Sequence, residues 1–306
     1  MTKVLVATEK PFAAAAVNGI REVVENAGYE LVLLEKYTDK ADLLKAVADV
    51  DGLIIRSDKV DAEVLDAAKN LKIVVRAGAG YDNIDLKAAT EHNVVAENTP
   101  GQNSNAVAEL VFGMTVMAAR NMYSGTSGFE LKGKHIGIQA FGQVGRNVAR
   151  IAKGFGMDVE ALDPYCPDSA MEEAGVKPVH STEELYKNNL FVSIHIPATK
   201  ETIGSIGYDL INLMPKGGVL INTARKEVID EEGLARVLND RPDLKYVADV
   251  KPGNAEMLEE KFAGRVFFTP KKMGAQTAEA NINAGIAAAN QVVAFIRDGV
   301  DRFRVN

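Results

Sequence analysis

The run Ile136-Gly137-Ile138-Gln139-Ala140-Phe141-Gly142-Gln143-Val144-Gly145 decides how this chain folds. It is an apolar strand pattern that passes through small residues into a helix expected to begin near Gln143. In a dinucleotide-binding turn, the first glycine makes the bend, the second lets a pyrophosphate approach the backbone, and the third allows the helix to pack close to the strand. Here Ala140 holds the first position, and Gly142 and Gly145 hold the others. Taken alone, so reduced a motif also fits an ordinary strand-turn-helix. Distance adds to it, because Val159 to Leu162 reads as the next strand and Asp163 closes it 21 residues after Gly142. An acid there accepts hydrogen bonds from the ribose hydroxyls of NAD and repels the extra phosphate of NADP.

Similar β-branched runs extend in both directions: Val4 to Val6, Leu31 to Leu34, Leu53 to Ile55, Ile73 to Val75, Phe191 to Ile194, Val219 to Ile221 and Tyr246 to Ala248. Each has the length of a strand buried on both faces, and stretches with helical spacing lie between them. That alternation predicts an α/β protein with parallel sheets and right-handed crossovers. Asn98-Thr-Pro-Gly-Gln-Asn103 breaks the rhythm and divides the strands into two sets. Just after it, Val107, Leu110, Val111, Met114, Met117 and Ala118 recur at helical spacing, predicting a helix over 103–120. A second long helix carries Ile282, Ile286, Ala289, Val293 and Ile296 on one stripe.

A chain of 306 residues, 47% hydrophobic and 25% charged, can bury two cores. Its net charge of -7, with no basic run, argues against nucleic acid as a partner. No apolar stretch approaches the roughly 20 residues that span a bilayer, so no membrane partner is expected. The N-terminus enters a strand pattern at once, without the apolar core of a secretory signal, and Cys166 is the single cysteine. A reducing cytoplasm is the expected location.

The motifs Arg76-Ala-Gly-Ala-Gly-Tyr-Asp-Asn-Ile-Asp85, Val107-Ala-Glu-Leu110, Leu131-Lys-Gly-Lys134, Phe141-Gly-Gln-Val-Gly-Arg146, Asp163-Pro164, His195-Ile-Pro197 and Asn222-Thr-Ala-Arg225 succeed one another along nearly the whole chain. In order and spacing they resemble the D-isomer-specific 2-hydroxyacid dehydrogenases. Within that family, Arg76 to Asp85 and the pair Arg56-Ser57 are most similar to a short branch that acts on 3-phospho-D-glycerate and lacks a C-terminal regulatory domain. The resemblance implies two doubly wound parallel-sheet domains with the active site in the cleft between them. A flavodoxin-like substrate domain would cover 1–98 and 285–306, and a Rossmann-like NAD domain 99–284. It also implies a homodimer, with the helix over 103–120 as a packing surface, and a small phosphorylated hydroxy acid as substrate.

The same resemblance assigns NAD contacts to Gly142, Gln143, Val144, Asp163, Pro164, His195, Pro197, Thr223, Ala224 and Asp249, the last orienting the nicotinamide amide. Arg225 comes after a buried strand and so stands at the carboxyl edge of a parallel sheet, where its guanidinium can bind a substrate carboxylate through two parallel bonds. The glycine turn Gly78-Ala79-Gly80 would add backbone amides to that carboxylate. Arg56, Ser57 and Lys59 near one strand end, with Arg76 at the next, are the candidates for the phosphate. No metal site is expected.

The family's usual acid-base pair is missing. Its histidine belongs after Thr269-Pro270, where the chain reads Lys271-Lys272-Met273-Gly274, and its glutamate belongs at Asn254. His92, His135, His180 and His195 lie at other motifs or strand ends and read as structural or surface residues. Counting back from Gly274 puts Lys272 in the histidine's place; counting forward from Pro270 puts Lys271 there. Lys272 is the expected acid-base group, because Gly274 anchors the helix start at Gly274-Ala-Gln276. An alcohol oxidation needs a proton acceptor, which a lysine becomes when nearby cations such as Arg225 lower its pKa. Losing the glutamate, which would raise that pKa, suits a lysine. Two alternatives stand beside this expectation: a dehydrogenase for an unphosphorylated acid such as glycerate, and a non-catalytic NAD-binding regulator.

Overall fold

A computed structural model describes residues 1–306, which form two compact units. The first comprises Met1–Asn103 with Gln276–Asn306, and the second Ser104–Ala275. The return to the first unit comes earlier than the expected residue 285. The reason is packing: the last helix lies along the first unit over its whole length.

In the first unit the order is β1 (Lys3–Thr8), α1 (Ala14–Asn26), β2 (Glu30–Glu35), α2 (Lys40–Ala46), β3 (Gly52–Ile55), α3 (Ala62–Ala67), β4 (Ile73–Arg76), α4 (Leu86–Glu91) and β5 (Val95–Asn98). The five strands are parallel in the order β2-β1-β3-β4-β5, the flavodoxin order.

The second unit runs α5 (Ser104–Ala119), β6 (His135–Gln139), α6 (Gln143–Gly154), β7 (Asp158–Leu162), α7 (Asp168–Glu173), β8 (Lys177–Pro178), α8 (Thr182–Asn188) and β9 (Phe191–Ile194). It continues with α9 (Tyr208–Asn212), β10 (Val219–Asn222), α10 (Glu231–Asp240), β11 (Lys245–Ala248), α11 (Ala255–Lys261) and β12 (Val266–Phe268). Its sheet has the order β12-β11-β10-β9-β6-β7-β8, all parallel, which is the doubly wound nucleotide-binding arrangement with one extra strand. The strand order reverses between β6 and β9, so the loops after those two strands border the crevice where such sheets bind ligands.

The final helix, α12 (Ala278–Asp298), returns to the first unit. It lies with α1 over the sheet face formed by Val4, Val6, Ile54, Ile73 and Val75. Gly19 and Gly285 permit the close approach: a Cβ on Gly19 would lie 2.6 Å from Ile286 Cδ1, and one on Gly285 would lie 3.0 Å from Ile20 Cδ1. No helix is long and apolar enough to cross a membrane.

Register places the functional loops. In the second unit the last residues of six strands pair side by side, in the row Leu162, Gln139, Ile194, Asn222, Ala248, Phe268. Asp163, Ala140, His195, Thr223, Asp249 and Thr269 are therefore each one step past the same edge. The first unit has an equivalent row in Ala7, Ile55, Arg76 and Asn98.

The turn after β6 bends as the motif requires, although its first glycine is an alanine. Ala140 has φ +80°, in the region that glycine populates freely and an L side chain does not. Its N–H still donates to Leu162 O at 2.8 Å, so the strain carries no lost hydrogen bond. A Cβ on Gly145 would collide with Ala140 O, which explains why that position has no side chain. Ala140→Gly should therefore raise stability by about 0.5–1 kcal/mol, measured as a higher thermal midpoint. A lowered midpoint would mean that the alanine is unstrained.

Candidate active site

In the second unit, Gly142 caps α6 without any side-chain cap bond, so the N–H groups of Gln143 and Val144 head the helix unencumbered by one. A Cβ on Gly142 would meet nothing within 4 Å, leaving open space over the turn for a phosphate. Asp163 sits beside it: Oδ2 accepts from Phe141 N–H at 2.8 Å and Oδ1 from Tyr165 N–H at 2.8 Å. Each oxygen keeps a further acceptor site, which suits a pair of ribose hydroxyls. Pro164 comes next and is exposed. These residues fit the adenosine and pyrophosphate of NAD.

After β9, His195 Nε2 lies 2.9 Å from Ser193 Oγ, and Nδ1 lies 3.5 Å from Thr223 Oγ1. Burial pushes the imidazole pKa down to about 3, so the ring is neutral at ordinary pH and cannot deliver a proton as imidazolium. Pro197 is exposed two residues further on.

The turn after β10 is set by Asn222. Its Oδ1 accepts from Ala224 N–H at 2.9 Å and its Nδ2 donates to Arg225 O at 3.0 Å. Arg225 Nη1 then donates back to Ala224 O at 3.0 Å. Lys272 Nζ donates to the same oxygen at 3.4 Å. Two cations thus meet on one carbonyl, their nitrogens no further apart than the sum of those distances. Lys271 is exposed, and no bond ties it to this carbonyl.

After β11, Asp249 is bonded to the loop that follows β12. It is 1% exposed, and its carboxylate is engaged by the chain itself: Oδ1 accepts from Thr269 Oγ1 at 2.9 Å and Met273 N–H at 2.7 Å, and Oδ2 from Gly274 N–H at 2.8 Å. Oδ2 keeps one further acceptor site, enough for one N–H of a nicotinamide amide. Asn254 is turned to α10, its Nδ2 donating to Glu231 O at 3.2 Å while Glu231 Oε2 accepts from the Asn254 N–H at 3.1 Å.

In the first unit, the loops after β1 and β3 border that sheet's own reversal of strand order. Asp58, buried, knots them by accepting from Glu9 N–H at 2.7 Å, Arg56 N–H at 3.1 Å and Tyr37 Oη–H at 3.0 Å. Sequence reasoning missed it, although an acid shortly past an apolar strand is a visible signal. Arg56 also departs from expectation: its Nη1 donates to Lys10 O and Pro11 O, both at 3.0 Å, its Nη2 to Asn281 Oδ1 at 2.7 Å, and it stacks 5.2 Å from the Phe12 ring centroid. Only two of a guanidinium's five N–H donors are left for a ligand. Ser57 and Lys59 are exposed and no bond joins either to Arg56.

Arg76 lies over Gly78. Its Nε donates to Arg56 O at 3.0 Å, and a Cβ on Gly78 would collide with its Nη1. Gly78 has φ +150°, and its carbonyl accepts from Thr99 N–H at 3.0 Å. Asn98 Nδ2 donates to Ala79 O at 2.6 Å. The Gly78-Ala79-Gly80 turn is thus pinned by its carbonyls, and the amides of Ala79 and Gly80 are in none of those bonds.

Residues 105–270 match the family described as D-isomer specific 2-hydroxyacid dehydrogenase, NAD binding domain. The chain belongs to this dehydrogenase family. Two curated members illustrate its range. D-3-phosphoglycerate dehydrogenase of Methanocaldococcus jannaschii is 36% identical, over 84% of this chain and 52% of its own length. Hydroxypyruvate reductase of Thermotoga maritima is 35% identical, over 86% and 90%. The chain thus spans about half the length of the first relative. Among solved dehydrogenase structures, NAD+-bound 3-phosphoglycerate dehydrogenase of Entamoeba histolytica is 48% identical, with a TM-score of 0.87, covering 100% of this chain and 98% of that one. The second unit is the family's NAD domain.

Two outcomes check these assignments. Asp163→Ser should narrow the preference for NAD over NADP by about tenfold, read from kcat/KM with each, because a carboxylate no longer faces the 2'-phosphate. Arg56→Ala should lower unfolding free energy in urea by about 2 kcal/mol through its lost scaffold bonds. Unchanged stability, with a loss confined to phosphorylated substrates, would return Arg56 to the phosphate.

Proposed function

We propose that this protein oxidises 3-phospho-D-glycerate to 3-phosphohydroxypyruvate, with Lys272 in place of the family's histidine. The observation that carries this reading is the convergence of Lys272 Nζ and Arg225 Nη1 on Ala224 O. NAD, when bound, supplies the hydride-accepting chemistry. The chain supplies the rest. Arg225 holds the substrate carboxylate through its planar fork. The neutral amine of Lys272 takes the hydroxyl proton as the carbon loses its hydride, and in the reverse direction the ammonium returns it. A neutral His195 competes for no proton. We assign further carboxylate contacts to the amides of Ala79 and Gly80, and the phosphate to Arg76 with the two remaining donors of Arg56.

A place at the entry to serine synthesis and a cytoplasmic location belong to the same proposal. So does a homodimer through α5, whose Leu110, Val116 and Met117 are only partly buried, near an exposed Phe155 stacked on Phe112 at 5.1 Å. A second reading, an enzyme for an unphosphorylated acid such as glycerate or hydroxypyruvate, is favoured by one specific observation: the Arg56 guanidinium is largely held by the protein. Steady-state rates with 3-phosphoglycerate and with glycerate separate the two.

Lys272→Ala should lower turnover about 100- to 10,000-fold while NADH binding persists. Lys271→Ala should keep nearly full turnover. The oxidation rate of the unaltered protein should climb with pH as the ammonium loses its proton. Full turnover in both lysine variants would move the proton elsewhere. NADH binding without turnover in the unaltered protein would favour a regulator.

A further inference from the structure

We propose that Asp249 is a positioning residue that determines which lysine of the Lys271-Lys272 pair stands against Arg225. The inference rests on the proton-transfer role given to Lys272. It begins with the segment between β12 and α12, where Thr269, Met273 and Gly274 all bond to one buried carboxylate. Thr269 lies before the lysine pair and Met273 after it, so both ends of a short loop are fastened at a single point. A slip of one residue would exchange Lys271 for Lys272 at the Ala224 carbonyl.

Two features oppose that slip. The amides of Met273 and Gly274 are consecutive donors on the two oxygens of the carboxylate, at 2.7 and 2.8 Å, and charge-assisted bonds to a buried anion are strong. Gly274 also sits where a side chain would be crowded: a Cβ there would lie 3.0 Å from Asp249 Oδ2 and 3.2 Å from Val107 Cγ2. Sliding Met273 or Ala275 into that place would press a side chain against both. The carboxylate needs no contact with substrate to act. It holds the backbone, and the backbone aims the amine.

The test is Asp249→Asn, which keeps the shape but replaces one acceptor oxygen with a donor. Hydrogen exchange at Met273 and Gly274 should become about tenfold faster or more, as expected when a charge-assisted bond is removed. Turnover should fall about 10- to 100-fold, the scale of a misplaced catalytic group, with NADH affinity nearly unchanged, which also shows that the variant is folded. Lys271→Ala, harmless alone, should reduce turnover further in the Asp249→Asn background, because a released loop presents Lys271 part of the time. Intact exchange protection with NADH binding weakened more than tenfold would overturn the proposal and give Asp249 to the cofactor. Wild-type turnover in Asp249→Asn, with Lys272→Ala inactive, would overturn it as well. Full turnover in Lys272→Ala defeats the proton-transfer reading instead, and is told apart because exchange in Asp249→Asn still rises.

Discussion

Six parallel strands of the second unit end on one hydrogen-bonded row, and that shared edge governs where its chemistry can be. A parallel sheet buried on both faces leaves its carboxyl edge as the place where backbone amides and polar side chains can gather. Ala140, Asp163, His195, Thr223, Asp249 and Thr269 come from distant parts of the chain, yet each is the first residue past the row. Moving one strand by a residue would send its loop residue to the opposite face of the sheet. The apolar strand cores therefore fix the polar site, although none of their side chains takes part in it.

At that edge the charges are arranged in an unusual way for an acid-base centre. The His195 imidazole is neutral because desolvation lowers its pKa, and the position where a carboxylate is anticipated holds an amide turned toward α10. Two cations share a carbonyl oxygen instead. The lysine and the amide are both departures from the family pattern.

Much of this was legible in the residues. Val4 to Val6 and Val219 to Ile221 are long, apolar and β-branched enough to announce buried strands, and they lie in β1 and β10. β5 and β12 were not announced: one ends in Glu97-Asn98 and the other has three residues, too few for periodicity to register. Arg225 and Lys272 could be paired from motif spacing, because each sits in a loop that leaves the same edge of one sheet. For Arg56 and Asp249 the bonds to the scaffold could not be foreseen. Their partners, Lys10, Pro11 and Asn281 for one and Met273 and Gly274 for the other, offer mostly backbone groups, and backbone donors and acceptors are nearly the same at every position of a sequence.

The long helix that returns to the first unit has a consequence for how the protein is made. One face of the first sheet, with Val4, Val6, Ile54, Ile73 and Val75, is covered partly by α12, whose residues leave the ribosome after every strand of that sheet. The second unit is complete in sequence by Ala275 and can close its cores while the first still waits. An apolar surface of the nascent chain therefore stays uncovered on that side until α12 emerges. During that interval, a chaperone that shields apolar surface has its natural task.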